Sequence, residues 1–209
     1  MTNTGKGAAI GGGGGAALGA GLGALIGGGK GAAIGTAIGA AVGTGAGVLI
    51  GKKMDKQQAE LQEELKKQAE VEKVTDTNGL QAIKVTFNGG ILFPTNGTTL
   101  SSSAKTDLTK FAASLMNNPQ TNVQIYGFTD DTGTLAVNER VATGRADAVR
   151  NYLLNSGVAA TRLSAEGLPM QDYVASNNTA EGRAQNRRVE IYITANQEMI
   201  NAANNGTLQ

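Results

Sequence analysis

The C-terminal part of the sequence predicts an α+β fold, a sandwich of two main helices on a mixed sheet. Two kinds of pattern support this prediction: short segments with strand-like alternation, and two longer segments with helical spacing of apolar residues. From about Thr75 onward the segments follow in the order β-α-β-α-β-β. They span about 120 residues, which is enough for one hydrophobic core.

Alternation of apolar and polar residues identifies the strands. "IKVTF" places Ile83, Val85 and Phe87 on one face, and "NRRVEIYI" (186–193) repeats this pattern near the C-terminus. The other predicted strands are "GGILFPTNG" (89–97), which turn residues interrupt, "NVQIYGF" (122–128) and "RLSAEGL" (162–168).

Two amphipathic segments predict the main helices. The first, residues 101–118, begins with serine caps and carries apolar residues at helical spacing. The second, residues 136–155, ends at "NSG", where Gly157 suits a helix C-cap. Its predicted buried stripe consists of Leu135, Ala142, Ala146, Val149 and Leu153.

A four-residue glycine repeat runs without a miss from Gly7 to Gly51. Lys30 divides it into two apolar arms, each about 30 Å long if helical. Small residues at this spacing let two helix backbones approach closely, so we predict a helical hairpin that contacts a membrane or another subunit. The alternative is a low-complexity tail that is disordered or packs on a partner.

A charged segment follows the glycine repeat and is predicted to form a solvated linker helix, with Ala59, Leu61, Leu65 and Ala69 as a thin apolar stripe. The predicted regions are a glycine-rich segment (1–51), a charged linker helix (52–76), the globular domain (77–196) and a C-terminal tail (197–209).

The amino-acid composition argues against several classes of function. The chain of 209 residues has no Cys and no His, and so lacks the usual thiol nucleophile, general base and preferred metal ligand. Its net charge of +1 gives no field that favours nucleic acid. We therefore predict a protein that is not an enzyme, with no cofactor, no metal site and no nucleic-acid partner.

One cation stands out in the second helix. Arg145 lies on the edge of the apolar face, where an unpaired guanidinium is costly, and Asp130 and Asp131 precede it in a loop after a strand. One interpretation is a salt bridge that pins this loop. The other is a split site in which Arg145 takes a carboxylate and an aspartate takes an ammonium, as for an amino-acid head group.

Residues 80–195 closely resemble the OmpA-like C-terminal domain. "GFTDDTG", "NERVATGRA" and "GRAQNRRVE" follow, in the right order, the family patterns G-H-T-D-x-x-G, N-x-x-L-S-x-x-R-A and G-R-A-x-N-R-R-V-E. The preceding tract resembles the glycine-zipper segment of a lipoprotein subgroup of that family. The stretch "FNGGILFPTNGTTLSSSAKT" is similar to versions from Bacteroidetes-type bacteria.

The resemblance implies non-covalent binding of peptidoglycan through the free zwitterionic end of diaminopimelate in the stem peptide. Asp130 would take the ammonium of the ligand and Arg145 its carboxylate, with Asn96 as a further ligand contact. The supporting residues, which would order the site and the last strand, are Thr132, Asn138, Asn186, Arg187 and Arg188.

Some positions depart from the family pattern. Phe128 replaces the family histidine, which is expected to change the rim of the pocket, and Gly144 is a poor helix residue directly before Arg145. Asp131 adds a charge beside the site.

The resemblance also implies a location at the periplasmic face of the outer membrane. Family members with a glycine zipper usually carry a signal peptide that ends in a lipidated cysteine, and this sequence shows neither. Its first residues resemble a mature start with an added Met. An alternative function is a membrane-active or oligomer-forming protein whose OmpA-like domain only anchors it.

Overall fold

The computed structural model describes residues 42–43, 45–65, 67–94 and 97–208. Within them the helices are α1 (Ala46–Leu65), α2 (Gly89–Leu92), α3 (Ser102–Asn117), α4 (Leu135–Asn155), α5 (Ala180–Asn186) and α6 (Gln197–Asn204). The strands are β1 (Ala69–Thr75), β2 (Gln81–Asn88), β3 (Thr121–Phe128), β4 (Leu163–Leu168) and β5 (Arg188–Ala195). The predicted α+β fold is confirmed.

The five strands form one mixed sheet in the order β1-β2-β5-β3-β4. β3 and β4 are parallel, because α4 crosses over between them, and the other neighbours are antiparallel. β5 pairs with both β2 and β3, and all eight of its residues are buried. The last strand in the sequence is therefore central in the sheet.

The main core lies on one face of the sheet. Its strand residues are Ile83, Val85, Phe87, Val123, Ile125, Val189, Ile191 and Ile193, all fully buried. α3 covers them with Leu108 and Phe111, and the Phe111 ring meets Phe87 edge-on with ring centroids 6.3 Å apart. α4 adds Ala146, Val149 and Leu153, as predicted, whereas Leu135 at its first turn is exposed.

The charged segment differs from the predicted solvated spacer. α1 begins at Ala46, inside the predicted glycine-rich segment, and it packs on the domain. Its buried stripe is Ala46, Ile50, Met54, Gln57, Leu61 and Leu65, at steps of three and four residues. Residues 69–75 form the edge strand β1 instead of continuing the helix. The interpretation as a solvated spacer is wrong because this stripe extends upstream into the glycine repeat.

Two further segments differ from their predicted structure. "GGIL" was predicted as a strand but forms the single helical turn α2, capped by the Asn88 side chain, which accepts a hydrogen bond from the Gly90 N–H. The predicted C-terminal tail contains α6, which buries Met199, Ile200 and Ala203 in the main core.

The predicted helical hairpin falls mainly on residues that lie outside the described part of the chain. The described end of the glycine repeat contacts the domain: a Cβ at Gly47 would lie 4.0 Å from Leu80, and one at Gly51 would lie 3.4 Å from the Gln81 side chain. Among the helices of the described residues, none has the length and apolar character needed to cross a membrane.

Candidate functional site

Asp130 lies two residues beyond the end of β3 and is 5% exposed. Its Oδ1 accepts a hydrogen bond from the Thr132 N–H at 2.9 Å, and its Oδ2 accepts one from Arg187 Nη1 at 2.6 Å. Burial raises the pKa of Asp130, but these two partners outweigh burial and hold the pKa below the ordinary aspartate value. Asp130 is therefore ionised at neutral pH.

Arg145 lies in the middle of α4 and is 3% exposed, deeper than the predicted position on the edge of the apolar face. Its Nε donates to the Gly97 carbonyl at 3.0 Å, and its guanidinium lies 5.3 Å from the centre of the Phe93 ring. Burial lowers the pKa of Arg145, and the neighbouring charge of Arg187 lowers it further. Among the described residues, the two Nη groups of Arg145 have no hydrogen-bond partner.

Asp130 and Arg145, which we call the clamp pair, line one cavity of about 750 Å³. Within the described ranges they form no ion pair with each other, because Asp130 pairs with Arg187. The salt bridge between Asp130 and Arg145, one of the two interpretations of the sequence, is therefore not formed. The other lining residues are Thr98, Thr129, Thr132, Gly133, Val137, Asn138, Arg140, Val141, Gly144, Arg183 and Arg187.

Asn138 shapes the loop that carries Asp130. It is buried, and its Nδ2 donates to the carbonyls of Thr132 at 2.9 Å and Thr134 at 3.1 Å. Thr134 also caps α4 by accepting a hydrogen bond from the Val137 N–H. The loop and the start of α4 are thus held together by the side chain of Asn138.

Asn186 does not join the clamp pair. Asn186 is fully buried, and its Oδ1 accepts hydrogen bonds from Val174 N at 2.8 Å and Ala175 N at 3.0 Å. It therefore orders the loop before α5 and does not line the cavity. Asn96 lies outside the described residues.

Comparison with protein families supports the resemblance seen in the sequence. The model of the OmpA family matches residues 92–187, and a glycine-zipper model matches residues 14–58. Residues 92–187 form an OmpA-family domain. This domain contains the clamp pair, the cavity-lining cations and the loop that Asn138 orders.

Relatives of this chain include a probable lipoprotein and a peptidoglycan-binding protein. The probable lipoprotein YiaD of Escherichia coli K12 is 39% identical over 141 residues, which cover 68% of this chain and 63% of YiaD. The peptidoglycan-binding protein ArfA of Mycobacterium tuberculosis H37Rv is 38% identical over 112 residues, covering 54% of this chain and 34% of ArfA. The chain thus spans less than two thirds of either relative. The similarity to Bacteroidetes-type members stays a prediction.

A solved structure of a MotB-like protein from Desulfovibrio vulgaris has a similar fold. Its TM-score is 0.61 at 26% identity, and the match covers 72% of this chain and 95% of that one. The chain and this MotB-like protein therefore share the same fold.

Two glycines let α4 lie against the sheet of the OmpA-family domain. A Cβ at Gly127 in β3 would overlap the Ala142 carbonyl oxygen, and a Cβ at Gly167 in β4 would overlap the backbone of Thr143. Gly127 and Gly167 are paired neighbours in the parallel ladder. This close approach sets the distance between Arg145 on α4 and the loop that follows β3.

Phe128 does not line the cavity, so the expectation that it changes the rim of the pocket is wrong. It is 1% exposed, and the Arg188 guanidinium lies 3.8 Å from its ring centre on the other face of the sheet. Arg188 also pairs with Glu190 at 2.7 Å, in agreement with its predicted role in ordering the last strand. The residue that replaces the family histidine acts in packing.

The partner of Asp130 was not predicted from the sequence. Arg187 was predicted to order the site, whereas it lies on the cavity in an ion pair with Asp130. The cavity-lining positions of Arg140 and Arg183 were not predicted either. Within the described residues, no group of three or more potential ligand side chains could hold a metal ion.

Proposed function

We propose that this protein binds peptidoglycan non-covalently and links the outer membrane to the cell wall from the periplasmic side. The OmpA-family domain supports binding, since the relative ArfA is named a peptidoglycan-binding protein. The relative YiaD is named a lipoprotein, which supports attachment to a membrane. The proposal includes no catalytic step.

The clamp pair would hold the zwitterionic end of diaminopimelate in the stem peptide. The observation that carries this proposal is that a buried carboxylate and a buried guanidinium line one cavity, and the Nη groups of the guanidinium have no hydrogen-bond partner in the part of the chain that the structure describes. The ligand carboxylate would accept two hydrogen bonds from Arg145, whose planar fork suits this geometry. The ligand ammonium would donate to Asp130. Both contacts are strengthened by the low exposure of the two residues.

When the ligand ammonium binds, Arg187 must either share the Asp130 carboxylate with it or give up its own hydrogen bond to Asp130. A carboxylate offers about four acceptor positions, and two of those on Asp130 are in use. The Arg187 side chain is 40% exposed, so it has room to move away from Oδ2. The ammonium would then bind beside Arg187 or in its place.

The first experiment is a pull-down on insoluble peptidoglycan with Asp130→Ala and Arg145→Ala. Each variant loses a charge-assisted contact, so binding should fall about tenfold or more, with an unchanged circular dichroism spectrum. Asp147→Ala, an exposed position on the same helix α4, is the matched control and should bind normally. Normal binding by both clamp variants would refute the assignment.

The second experiment tests the ligand head group. Stem peptides with lysine in place of diaminopimelate lack the side-chain carboxylate that Arg145 would bind. The protein should therefore prefer peptides that contain diaminopimelate. Arg145→Ala should abolish this preference, because it removes the receptor for that carboxylate. Equal affinity of the unsubstituted protein for the two peptides, measured by calorimetry, would exclude recognition of diaminopimelate.

The match of residues 14–58 to a glycine zipper favours a second candidate function, self-association or membrane contact through residues 7–51. Mass photometry of the full chain and of residues 42–209, in buffer and in detergent, tests it. The zipper hypothesis expects an oligomer only for the full chain, and monomers in all four conditions would refute self-association.

A further inference from the structure

The cavity beside the clamp pair carries more positive charge than a zwitterion needs. Four arginines line it, namely Arg140, Arg145, Arg183 and Arg187, and Asp130 is the acidic residue in the lining. This is a formal surplus of three positive charges within the cavity. Asp131 follows Asp130 in the chain but does not line the cavity.

Three of the four arginines have no acidic partner among the residues that the structure describes. Arg187 pairs with Asp130, and the first of the three without such a partner is Arg145 of the clamp pair. Arg183 uses its Nη1 to donate to the Asn177 carbonyl at 2.7 Å, which leaves its charge unpaired. Arg140 is exposed on α4 and forms no ion pair in the described ranges.

This arrangement is unfavourable without an anion. Burial lowers the pKa of Arg145 most, the charge of Arg187 lowers it further, as expected for two cations that repel each other, and Asp130 opposes this shift. A ligand with one ammonium and one carboxylate is neutral and leaves the surplus in place. A ligand with further carboxylates would offset it.

We propose that Arg140 and Arg183 bind a second ligand carboxylate, so that the cavity selects peptides with a net negative charge. The inference rests on the proposed function, since it names the form of stem peptide that the site would take. That form keeps the carboxylate of the glutamyl residue next to diaminopimelate free, whereas amidation of this group removes its charge. Arg140 and Arg183 are then specificity residues outside the clamp pair.

The test compares two synthetic tripeptides, alanyl-γ-glutamyl-diaminopimelate with a free glutamyl α-carboxylate and the same peptide with that group amidated. Titration calorimetry of the full chain should give about fivefold tighter binding of the free form, the range expected for a partly exposed ion pair. The preference should shrink as salt rises from about 0.05 M to 0.5 M, because exposed charges are screened.

Variants with a single substitution test which arginines cause the preference for the free form of the peptide. Arg140→Gln should reduce it to about twofold or less, because the lost charge weakens binding of the free form more than binding of the amidated form. Arg183→Gln should act in the same direction, and its thermal melting curve checks the effect of losing the hydrogen bond to Asn177. Arg150→Gln, on α4 but away from the cavity, is the control and should keep the full preference.

The outcomes separate the two proposals. Equal affinity of the unsubstituted protein for both peptides would overturn this inference and leave the clamp pair standing. A preference that survives in both Arg140→Gln and Arg183→Gln would also overturn it. No binding of either peptide would refute the proposed function itself.

Discussion

Asp130 shows how a single buried residue keeps its charge. Burial alone would favour the neutral carboxyl group, but the Thr132 N–H and the Arg187 guanidinium both donate to the ionised form. Arg145 illustrates the opposite problem, since among the described residues its only hydrogen bond is to the neutral Gly97 carbonyl. The Asp130 carboxylate is compensated within the chain, whereas the Arg145 guanidinium has no anionic partner among the described residues.

The lowered pKa of Asp130 predicts how its contribution to stability depends on pH. Because the pKa in the folded state lies below the ordinary value of 3.8, the ionised residue stabilises the fold fully above that value. The contribution is lost as pH falls through the lower folded pKa. Urea unfolding of the unsubstituted protein and of Asp130→Asn should give a constant difference from pH 7 to about 5. A difference that disappears already within this range would indicate a raised pKa.

At the scale of elements, the position of α4 decides the geometry of the site. Asp130 lies two residues beyond the end of β3, and Arg145 lies in the third turn of α4. Gly127 and Gly167 allow the helix backbone to lie directly on β3 and β4. The clamp pair thus depends on two residues that have no side chain.

Gly127→Ala tests this dependence. The added methyl would overlap the Ala142 carbonyl, so α4 must move, which should cost about 1–3 kcal/mol of stability and weaken peptidoglycan binding. Denaturant unfolding and the pull-down measure the two effects. Gly47→Ala in α1 is the control, because its methyl would make an ordinary contact of 4.0 Å with Leu80. Loss of neither stability nor binding in Gly127→Ala would contradict this account of the helix position.

At the scale of the whole molecule, the glycine repeat and the OmpA-family domain are not separated by a free linker. α1 contains Gly47 and Gly51 of the repeat and buries Ala46 and Ile50 in the same core as the sheet. Gly43 N also donates to the Asn204 side chain at 2.7 Å, which ties the repeat to the last helix. A membrane or a partner that held the repeat would therefore also orient the domain, because α1 connects the two.

Two truncations test this continuity. Removal of residues 1–41 should leave the stability of the domain unchanged, because α1 stays whole. Removal of residues 1–51, the predicted glycine-rich segment, should cost about 3 kcal/mol, since the buried side chain of Ile50 is lost with the first turns of α1. Thermal and urea unfolding compare the two. Equal stability would show that α1 packs only weakly.

Local patterns predicted much of the fold, because they report which face of a segment is buried. The alternation in "IKVTF" and the spacing in α3 place the same residues in the core as the structure does. The pattern failed for "GGIL", where an Asn88 cap and a short apolar run outweigh the strand signal. It failed for α1 because the buried stripe begins within glycines that were assigned to a different region.

The sequence by itself determined the fold class and the family motifs that single out Asp130 and Arg145, since these depend on order and periodicity along the chain. Tertiary structure alone decided which charges meet. Arg187 reaches Asp130 across 57 residues, and Arg140 and Arg183 reach one cavity from two different helices. Such contacts depend on how β3, α4 and the segment before β5 pack in space, and spacing along the chain carries no measure of that distance.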